Sequence, residues 1–246
     1  RSTPLHLAVQ KGDLFLARIL LNHGAGVNVR DADGRTALYY AAKGDNLETA
    51  RLLLERGAGV EALANDGTAP LDAAAFNGNP AVAQVLLAAG GEVGIHAAAG
   101  LGRMDLLERW RAEGWDLANV RDLQDRTPLH WAAASGQPKI VLNLLSLGAD
   151  PQSKDERNVD PLELAVEHNR PEVLGLLLKV FGGEGPSQTL LNKLLLDSAE
   201  RGRGDVPAFL LKRGARTDAT DERGRTALHL AAGEGHIDVM LLMIKA

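Results

Sequence analysis

The feature that most constrains this chain is a repeat of about 33 residues along its whole length. Each copy is marked by an apolar anchor residue, and the steps between successive anchors are 33, 33, 24, 34, 33, 33 and 33 residues. Glycine or another turn-tolerant residue stands seven positions after every anchor. Such self-similarity predicts an array of structural units rather than a domain built around one centre. The eight anchors, which define units one to eight, are Leu5, Leu38, Leu71, Ile95, Leu129, Leu162, Leu195 and Leu228.

The residues around each anchor predict two short helices per unit. Thr3 precedes Pro4 at the start of the first helix, where threonine caps free backbone N–H groups and proline costs no useful donor. A pair of small alanines then allows close helix packing. The second helix carries apolar residues at helical spacing, as Leu14, Ala17 and Leu21 do.

Two motifs recur at the helix boundaries. The helix openings are TPLHLA at 3–8, TPLHWAA at 127–133 and TALHLAA at 226–232, and the second-helix endings are LLERGA at 53–58, LLSLGAD at 144–150 and LLKRGA at 210–215. These motifs resemble those of the ankyrin-repeat family. The resemblance implies an all-α repeat solenoid, a stack of helix-turn-helix units with short β-hairpin fingers, forming a single domain over residues 1–246. Both ends fall inside a unit, so we expect a piece excised from a longer protein, or one trimmed to its ordered region.

Two of the units are irregular. The step of 24 residues between Leu71 and Ile95 leaves no room for a finger, so we expect a notch in the row of fingers. Residues 182–186 are predicted to form a flexible, glycine-rich turn, and the residues from Ser187 predict an early, capped helix start. Unit seven should therefore have a longer first helix in place of a finger. The five expected fingers lie at roughly 25–36, 58–69, 117–127, 150–160 and 215–226.

Composition and charge narrow the classes of partner. The net charge is −5 and no basic run exceeds two residues, which argues against nucleic acid as the main partner. The absence of cysteine excludes disulfides and cysteine-ligated zinc. No apolar stretch is long enough for membrane insertion, and the first four residues do not begin a signal peptide. These observations favour a cytoplasmic location.

No pattern in the chain predicts catalysis, a cofactor, a metal or a small-molecule substrate. Four histidines share the position after the anchor, but equivalent positions in stacked units lie about 10 Å apart and cannot share one ion. The resemblance implies instead that each bonds to backbone and to the neighbouring threonine. Phosphate-loop and nucleophile-elbow motifs are absent. The histidines are His6, His96, His130 and His229.

Four further residues carry specific expectations. Trp131 is expected in the core between units. Tyr39 should take over the polar bonding of the histidine position, and Tyr40 should pack. Asn28 stands at a finger base, where the resemblance implies a residue that can be hydroxylated in eukaryotic ankyrin proteins, although a bond that holds the turn is the favoured role.

The resemblance also implies a binding surface on the concave face and finger tips. We expect a non-catalytic scaffold that binds another protein across units two to five; the alternative is a targeting or regulatory domain of a larger enzyme or effector. Phe76, Leu101 and Leu123 are expected to form an exposed apolar patch that anchors the partner. Alternatively, the missing finger lets neighbouring units bury them as local core. The predicted binding residues are Asp33, Arg35, Lys43, Asn65, Asp66, Phe76, Asn77, Leu101, Leu123, Gln124, Arg126 and Ser135.

Overall fold

Each unit contributes two consecutive helices, and the computed structural model describes residues 1–180, 186–202 and 204–246. In these residues the first helices, α1 to α15 in odd numbers, are Pro4–Gln10, Ala37–Lys43, Pro70–Asn77, Ile95–Gly100, Pro128–Ser135, Pro161–Glu167, Gln188–Glu200 and Ala227–Gly233. The second helices, α2 to α16 in even numbers, are Leu14–Asn22, Leu47–Glu55, Pro80–Ala88, Met104–Ala112, Pro138–Ser146, Pro171–Val180, Asp205–Lys212 and Ile237–Lys245. The expected helical repeat architecture is confirmed.

Local signals set the ends of these helices. The Thr36 hydroxyl accepts the Tyr39 backbone N–H at 3.3 Å at the start of α3. The turn between the two helices of a unit needs a left-handed residue, and Gly78 supplies it with φ 71°. In units two and six, Asp45 and Asn169 hold the same conformation, at φ 55° and 56°, because short polar side chains tolerate it better than most.

The apolar core lies between neighbouring units and divides into two clusters. One extends from Leu5 to Leu86, and the other from Ala75 to Met243. Both meet at unit four, where the partly buried Leu101 packs against each of them. The first helices pack successively along the stack, and α5 also contacts α9 directly, past the short helix α7.

The fingers are tight turns rather than extended hairpins. In unit two, the Asp31 N–H donates to the Arg35 carbonyl at 2.9 Å, and four other fingers close with the equivalent backbone bond. Within the described residues no finger forms a strand, and one isolated antiparallel bridge joins Thr220 and Thr226. Because each of these fingers closes with a single backbone hydrogen bond, too few residues remain on either side to form a β-ladder.

The expected notch at unit four is wrong. The finger of unit five closes up against that of unit three, and the Gln124 side chain donates from Nε2 to the Asp66 carbonyl at 2.8 Å. Regular neighbours are joined in a similar place, since the Asn65 N–H donates to the Asp33 carbonyl at 2.9 Å. Because unit four has no finger, the fingers of units three and five come into direct contact.

Unit seven has the expected longer first helix. Helix α13 has 13 residues, against six to eight in the first helices of the other units. The Ser187 hydroxyl caps it by accepting the Leu190 N–H at 3.1 Å. Most of the glycine-rich turn expected before it, residues 182–185, lies outside the described residues. In the part of the chain that is described, no helix has the length and apolar character needed to cross a bilayer.

Candidate protein-binding surface

The repeat position directly after the anchor joins one unit to the next. At His130, the Thr127 N–H donates to Nδ1 at 3.0 Å, so the ring proton lies on Nε2, which donates to the Val159 carbonyl at 3.2 Å. His6 bonds to Thr3 and to the Arg35 carbonyl in the same way. The expected structural role is confirmed for His6 and His130, while among the described residues His96 bonds to the Val120 carbonyl without a threonine partner and His229 bonds only to Thr226. Over residues 1–180, 186–202 and 204–246, no group of three His, Asp or Glu side chains could hold a metal ion.

The second position after the anchor gives two aromatic residues a polar partner. The Tyr40 hydroxyl donates to Asp31 Oδ2 at 2.6 Å, and Trp131 Nε1 donates to Asp122 Oδ2 at 2.8 Å. The expected polar role of Tyr39 was therefore wrong, because it is the second ring that bonds to the aspartate of its own finger. Tyr40 also packs against the core, as expected. Trp131 is 3% exposed, which confirms its place in the core.

A central concavity of about 350 Å³ opens on the face formed by the first helices and the fingers. The concavity is lined by units two, three, five and six. Unit four does not take part, because it has no finger and α5 contacts α9 directly past its first helix. The predicted binding residues that line it are Arg35, Lys43, Asp66, Phe76, Asn77, Gln124 and Arg126.

Aromatic rings form one wall of the central concavity. The Phe76 ring lies edge-to-face with Trp131 and His168, at centroid distances of 5.2 and 5.4 Å. Such pairs are favourable beyond the area that they bury. The Arg126 guanidinium carbon lies 4.6 Å from the Phe76 centroid, within the range of a cation–π interaction.

The expected exposed patch of three apolar residues is only partly present. Phe76 and Leu101 are half-buried and pack against the core, as the alternative interpretation predicted. Leu123 is 78% exposed and covers Gly67 of the neighbouring finger. The close approach of units three and five explains the burial, since it places α9 beside Phe76.

Two other predicted binding residues are not accessible. Gln124 is 6% exposed and its amide bonds to the unit-three finger. Ser135 is 5% exposed and its hydroxyl donates to the Trp131 carbonyl at 2.8 Å within its own helix. Asn77 is half-buried, and its carbonyl accepts from Arg170 Nη2 at 2.9 Å. Of the remaining predicted residues, Asp33, Lys43 and Asn65 are exposed and Arg35, Asp66 and Arg126 are half-buried.

Asp72 occupies the histidine position of unit three and lines the central concavity. Its Oδ2 accepts the Ala69 N–H at 2.9 Å. Burial raises the pKa of this carboxyl group to about 6, and the negative charges of Glu61, Asp122 and Asp66 act in the same direction. The group therefore changes its charge near neutral pH.

Sequence reasoning missed several residues of this surface, including Asp72, Trp131, Arg157 and His168. The sequence signal that could have identified Asp72 is an aspartate directly after the anchor, where several other units have histidine. Asn28 at the finger base bonds the next unit through both amide atoms, to the Gly57 carbonyl at 3.0 Å and the Gly59 N–H at 2.8 Å, in agreement with its favoured structural role.

Comparison with known proteins is consistent with this architecture. A family model described as ankyrin repeats in three copies matches residues 5–96, 71–155, 95–189 and 162–246. Ankyrin repeat domain-containing protein 63 of Homo sapiens is 33% identical over 141 residues, which cover 54% of this chain and 36% of that protein.

Two further relatives are named as an inhibitor and as a member of a cation channel subfamily. NF-kappa-B inhibitor delta of Mus musculus is 31% identical over 149 residues, covering 51% of this chain and 46% of that protein. Transient receptor potential cation channel subfamily A member 1 of Homo sapiens is 27% identical over 159 residues, covering 61% of this chain and 14% of that protein. The chain spans less than half of the length of each relative. From the matched residues and the eight two-helix units together, the chain belongs to the ankyrin-repeat family.

Proposed function

We propose that this chain is a non-catalytic scaffold that binds another protein through the central concavity and the finger tips around it. The observation that carries the proposal is the composition of that surface: the half-buried Phe76, Arg35 and Arg126, packed with the buried Tyr39 and Trp131. Aromatic residues and arginine are enriched in interface cores and among the residues that dominate binding energy. Ankyrin repeats serve in general as protein-binding modules, which supports the same conclusion.

Three buried groups with shifted pKa values, His96, His130 and Asp72, have structural bonds that support a non-catalytic function. Burial lowers the pKa of His96 and of His130, and both rings bond to backbone carbonyls of the next unit. Asp72 is likewise tied to the start of its helix. A perturbed pKa marks a candidate active site only when no structural bond accounts for the group.

A variant pair on opposite faces tests the proposal. Lys43 and Leu123 are exposed beside the concavity, while Lys139 and Leu142 are exposed on α10, a second helix. The partner would first be isolated by affinity capture and then titrated as a pure protein. We expect Lys43→Glu with Leu123→Ser to weaken binding by about tenfold or more without changing the melting temperature.

The matched control is Lys139→Glu with Leu142→Ser, which makes the same changes on the other face. It should bind like the unmodified chain. Equal affinity of all three proteins, or a loss confined to the α10 pair, would exclude the concave face as the binding surface.

The second candidate function is a targeting or regulatory domain within a larger enzyme or effector. It is favoured by the partial coverage of the relatives, one of which is named as a channel subunit. Cross-linking of the protein translated from the full reading frame distinguishes the two. Links from Lys43 to another part of the same polypeptide would favour regulation in cis, and links to a separate protein would favour the scaffold.

A further inference from the structure

Arg126 of unit five is a largely buried cation that lacks the carboxylate partners of its counterpart in unit two. Both arginines stand three residues before their anchors. Arg35 reaches Asp33 Oδ2 at 3.2 Å and Asp66 Oδ2 at 3.4 Å. The Arg126 side chain is 15% exposed, and its nearest carboxylate oxygen among the described residues is Asp155 Oδ2, 3.8 Å from Nε. The Nε atoms of both arginines are buried without a hydrogen-bond partner, so the two differ in their carboxylate contacts.

The difference arises at one repeat position, five residues before the anchor. Unit two has Asp33 there and unit three has Asp66, and these are the two acids that hold Arg35. Unit five has Gln124 at that position, and unit six has Arg157. Around Arg126, one carboxylate is thus replaced by a neutral amide and the other by a second cation.

Asp155 does not make up for the missing acids, because its own finger uses it. Its Oδ1 accepts the Arg157 and Val159 N–H groups, both at 2.9 Å, and its Oδ2 lies 3.4 Å from the Arg157 guanidinium. A buried guanidinium N–H without a hydrogen-bond acceptor, as at Arg126 Nε, is costly. Here the cation is held against the Phe76 ring at the edge of the central concavity.

We propose that the central concavity accepts the carboxylate side chain of a glutamate or aspartate from a protein partner, bound between Arg126 and Arg157. This inference rests on the proposed scaffold function and names the chemistry of its partner. A guanidinium is planar and binds a carboxylate through two parallel hydrogen bonds. A volume of about 350 Å³ admits one side chain with its neighbours, and the exposed part of Phe76 provides an apolar contact beside it.

The other charges of the concavity favour a single negative charge. Arg35 and Lys43 line it with Arg126 and Arg157, against the four acids Asp66, Asp72, Glu156 and Glu167. A phosphate dianion or a nucleic-acid backbone would therefore meet more repulsion from the acids than a single carboxylate does. A lysine or arginine of the partner would bring a further cation beside Arg126 and Arg157. The acidic side chain is thus the occupant that the charges favour.

The test uses peptides selected from a display library of random dodecapeptides on the intact chain. We expect the selected peptides to share an acidic residue next to an apolar one. In calorimetric titrations with one such peptide, Arg157→Asp should weaken binding by about tenfold or more, because the new carboxylate would hold Arg126 as Asp66 holds Arg35. The melting temperature should be unchanged or higher.

The matched control is Arg223→Asp, the same change at the same repeat position of unit eight, outside the concavity. It should leave the affinity unchanged. Replacing the peptide's glutamate with glutamine should weaken binding to the unmodified chain, and should have little further effect on Arg157→Asp. Arg126→Gln serves as a second variant and should show the same pattern.

Three outcomes would overturn the proposal. They are selected peptides without a common acid, equal binding by Arg157→Asp and Arg223→Asp, or tighter binding when phosphoserine replaces the peptide's glutamate. If no peptide binds and the captured protein partner is unaffected by changes at Lys43 and Leu123, the scaffold surface itself is wrong. If changes at Lys43 and Leu123 abolish binding but Arg157→Asp does not, the carboxylate site is rejected and the scaffold surface is retained.

Discussion

At the scale of single residues, the structure depends on a few polar side chains that bond across units. His130 satisfies a partly buried carbonyl of unit six, and Asn28 bonds to the exposed backbone of Gly57 and Gly59 at the junction of units two and three. Each bond contributes about 1 kcal/mol net, but leaving its partner unsatisfied costs more. The histidine one position after the anchor therefore stabilises the stack.

His130→Ala should lower the free energy of unfolding by about 2 to 3 kcal/mol, because it removes bonds to Thr127 and to the Val159 carbonyl. His229→Ala is the control at the same repeat position. The His229 ring is exposed and bonds only within its own helix start in the described residues. Chemical denaturation of both variants should show a small effect for His229→Ala, and equal losses would contradict the role of the inter-unit bond.

Asp72→Asn should stabilise the chain above about pH 6 and have little effect near pH 4. The folded pKa of Asp72 is raised to about 6 from 3.8, so the carboxylate reduces stability as the pH rises through 6. The expected gain at about pH 8 is about 1 to 3 kcal/mol, from roughly 1.4 kcal/mol per pKa unit. Melting curves between these pH values would measure it. The exposed Asp125→Asn is the control, and a gain independent of pH would contradict the assignment.

At the scale of elements, one short helix determines how closely the units approach at the missing finger. Helix α7 lies so near α5 that a Cβ atom on Gly100 would be 2.7 Å from the Ala75 carbonyl oxygen. Backbone atoms cannot move aside as a flexible side chain can. The absence of a side chain at Gly100 is thus what allows α5 and α9 to meet across unit four.

Gly100→Ala should destabilise the chain by about 1 to 3 kcal/mol, since overpacking forces the helices apart. Gly233 stands at the same position of unit eight, where a Cβ atom would have no neighbouring atom within 4 Å. Gly233→Ala should be neutral or stabilising by up to about 1 kcal/mol through helix propensity. Thermal unfolding of the two variants gives the comparison, and destabilisation of both to the same extent would point to the helix itself rather than to packing.

At the scale of the whole molecule, the two core clusters are joined at unit four by polar contacts as well as by packing. Gln124 bonds to the finger of unit three, and Arg170 of unit six bonds to the Ala134 and Asn77 carbonyls. The Gln124–Asp66 and Arg170–Asn77 bonds span units that are not neighbours in the repeat order. They support the expectation of a single domain over residues 1–246.

We expect the chain to unfold in one transition, with equal calorimetric and van't Hoff enthalpies. Gln124→Ala combined with Arg170→Ala should broaden or split that transition, because it removes polar contacts that join the two clusters. The control is Arg121→Ala. It also removes bonds between fingers, to Lys154 and Ser153, but these lie within one cluster region. It should lower the melting temperature without splitting the transition, and two separate transitions in the unmodified chain would reject the single domain.

The sequence by itself determined the eight units of two helices each, the longer first helix of unit seven and the structural role of His6 and His130. These features depend on capping residues, left-handed turns and contacts between positions about 30 residues apart, which repeat in every unit and can be read from the spacing. The polar role predicted for Tyr39 was wrong, because it is Tyr40, two positions after the anchor, that bonds to an aspartate in its own finger.

Only the tertiary structure decided what happens where the repeat fails. The closed row of fingers, the burial of Phe76, Leu101, Gln124 and Ser135, and the central concavity all follow from contacts between units three, five and six. Those contacts join residues 58 and 93 positions apart, as in the bonds of Gln124 and Arg170. No periodic pattern encodes them, because they exist only once unit four, without a finger, allows its neighbours to meet.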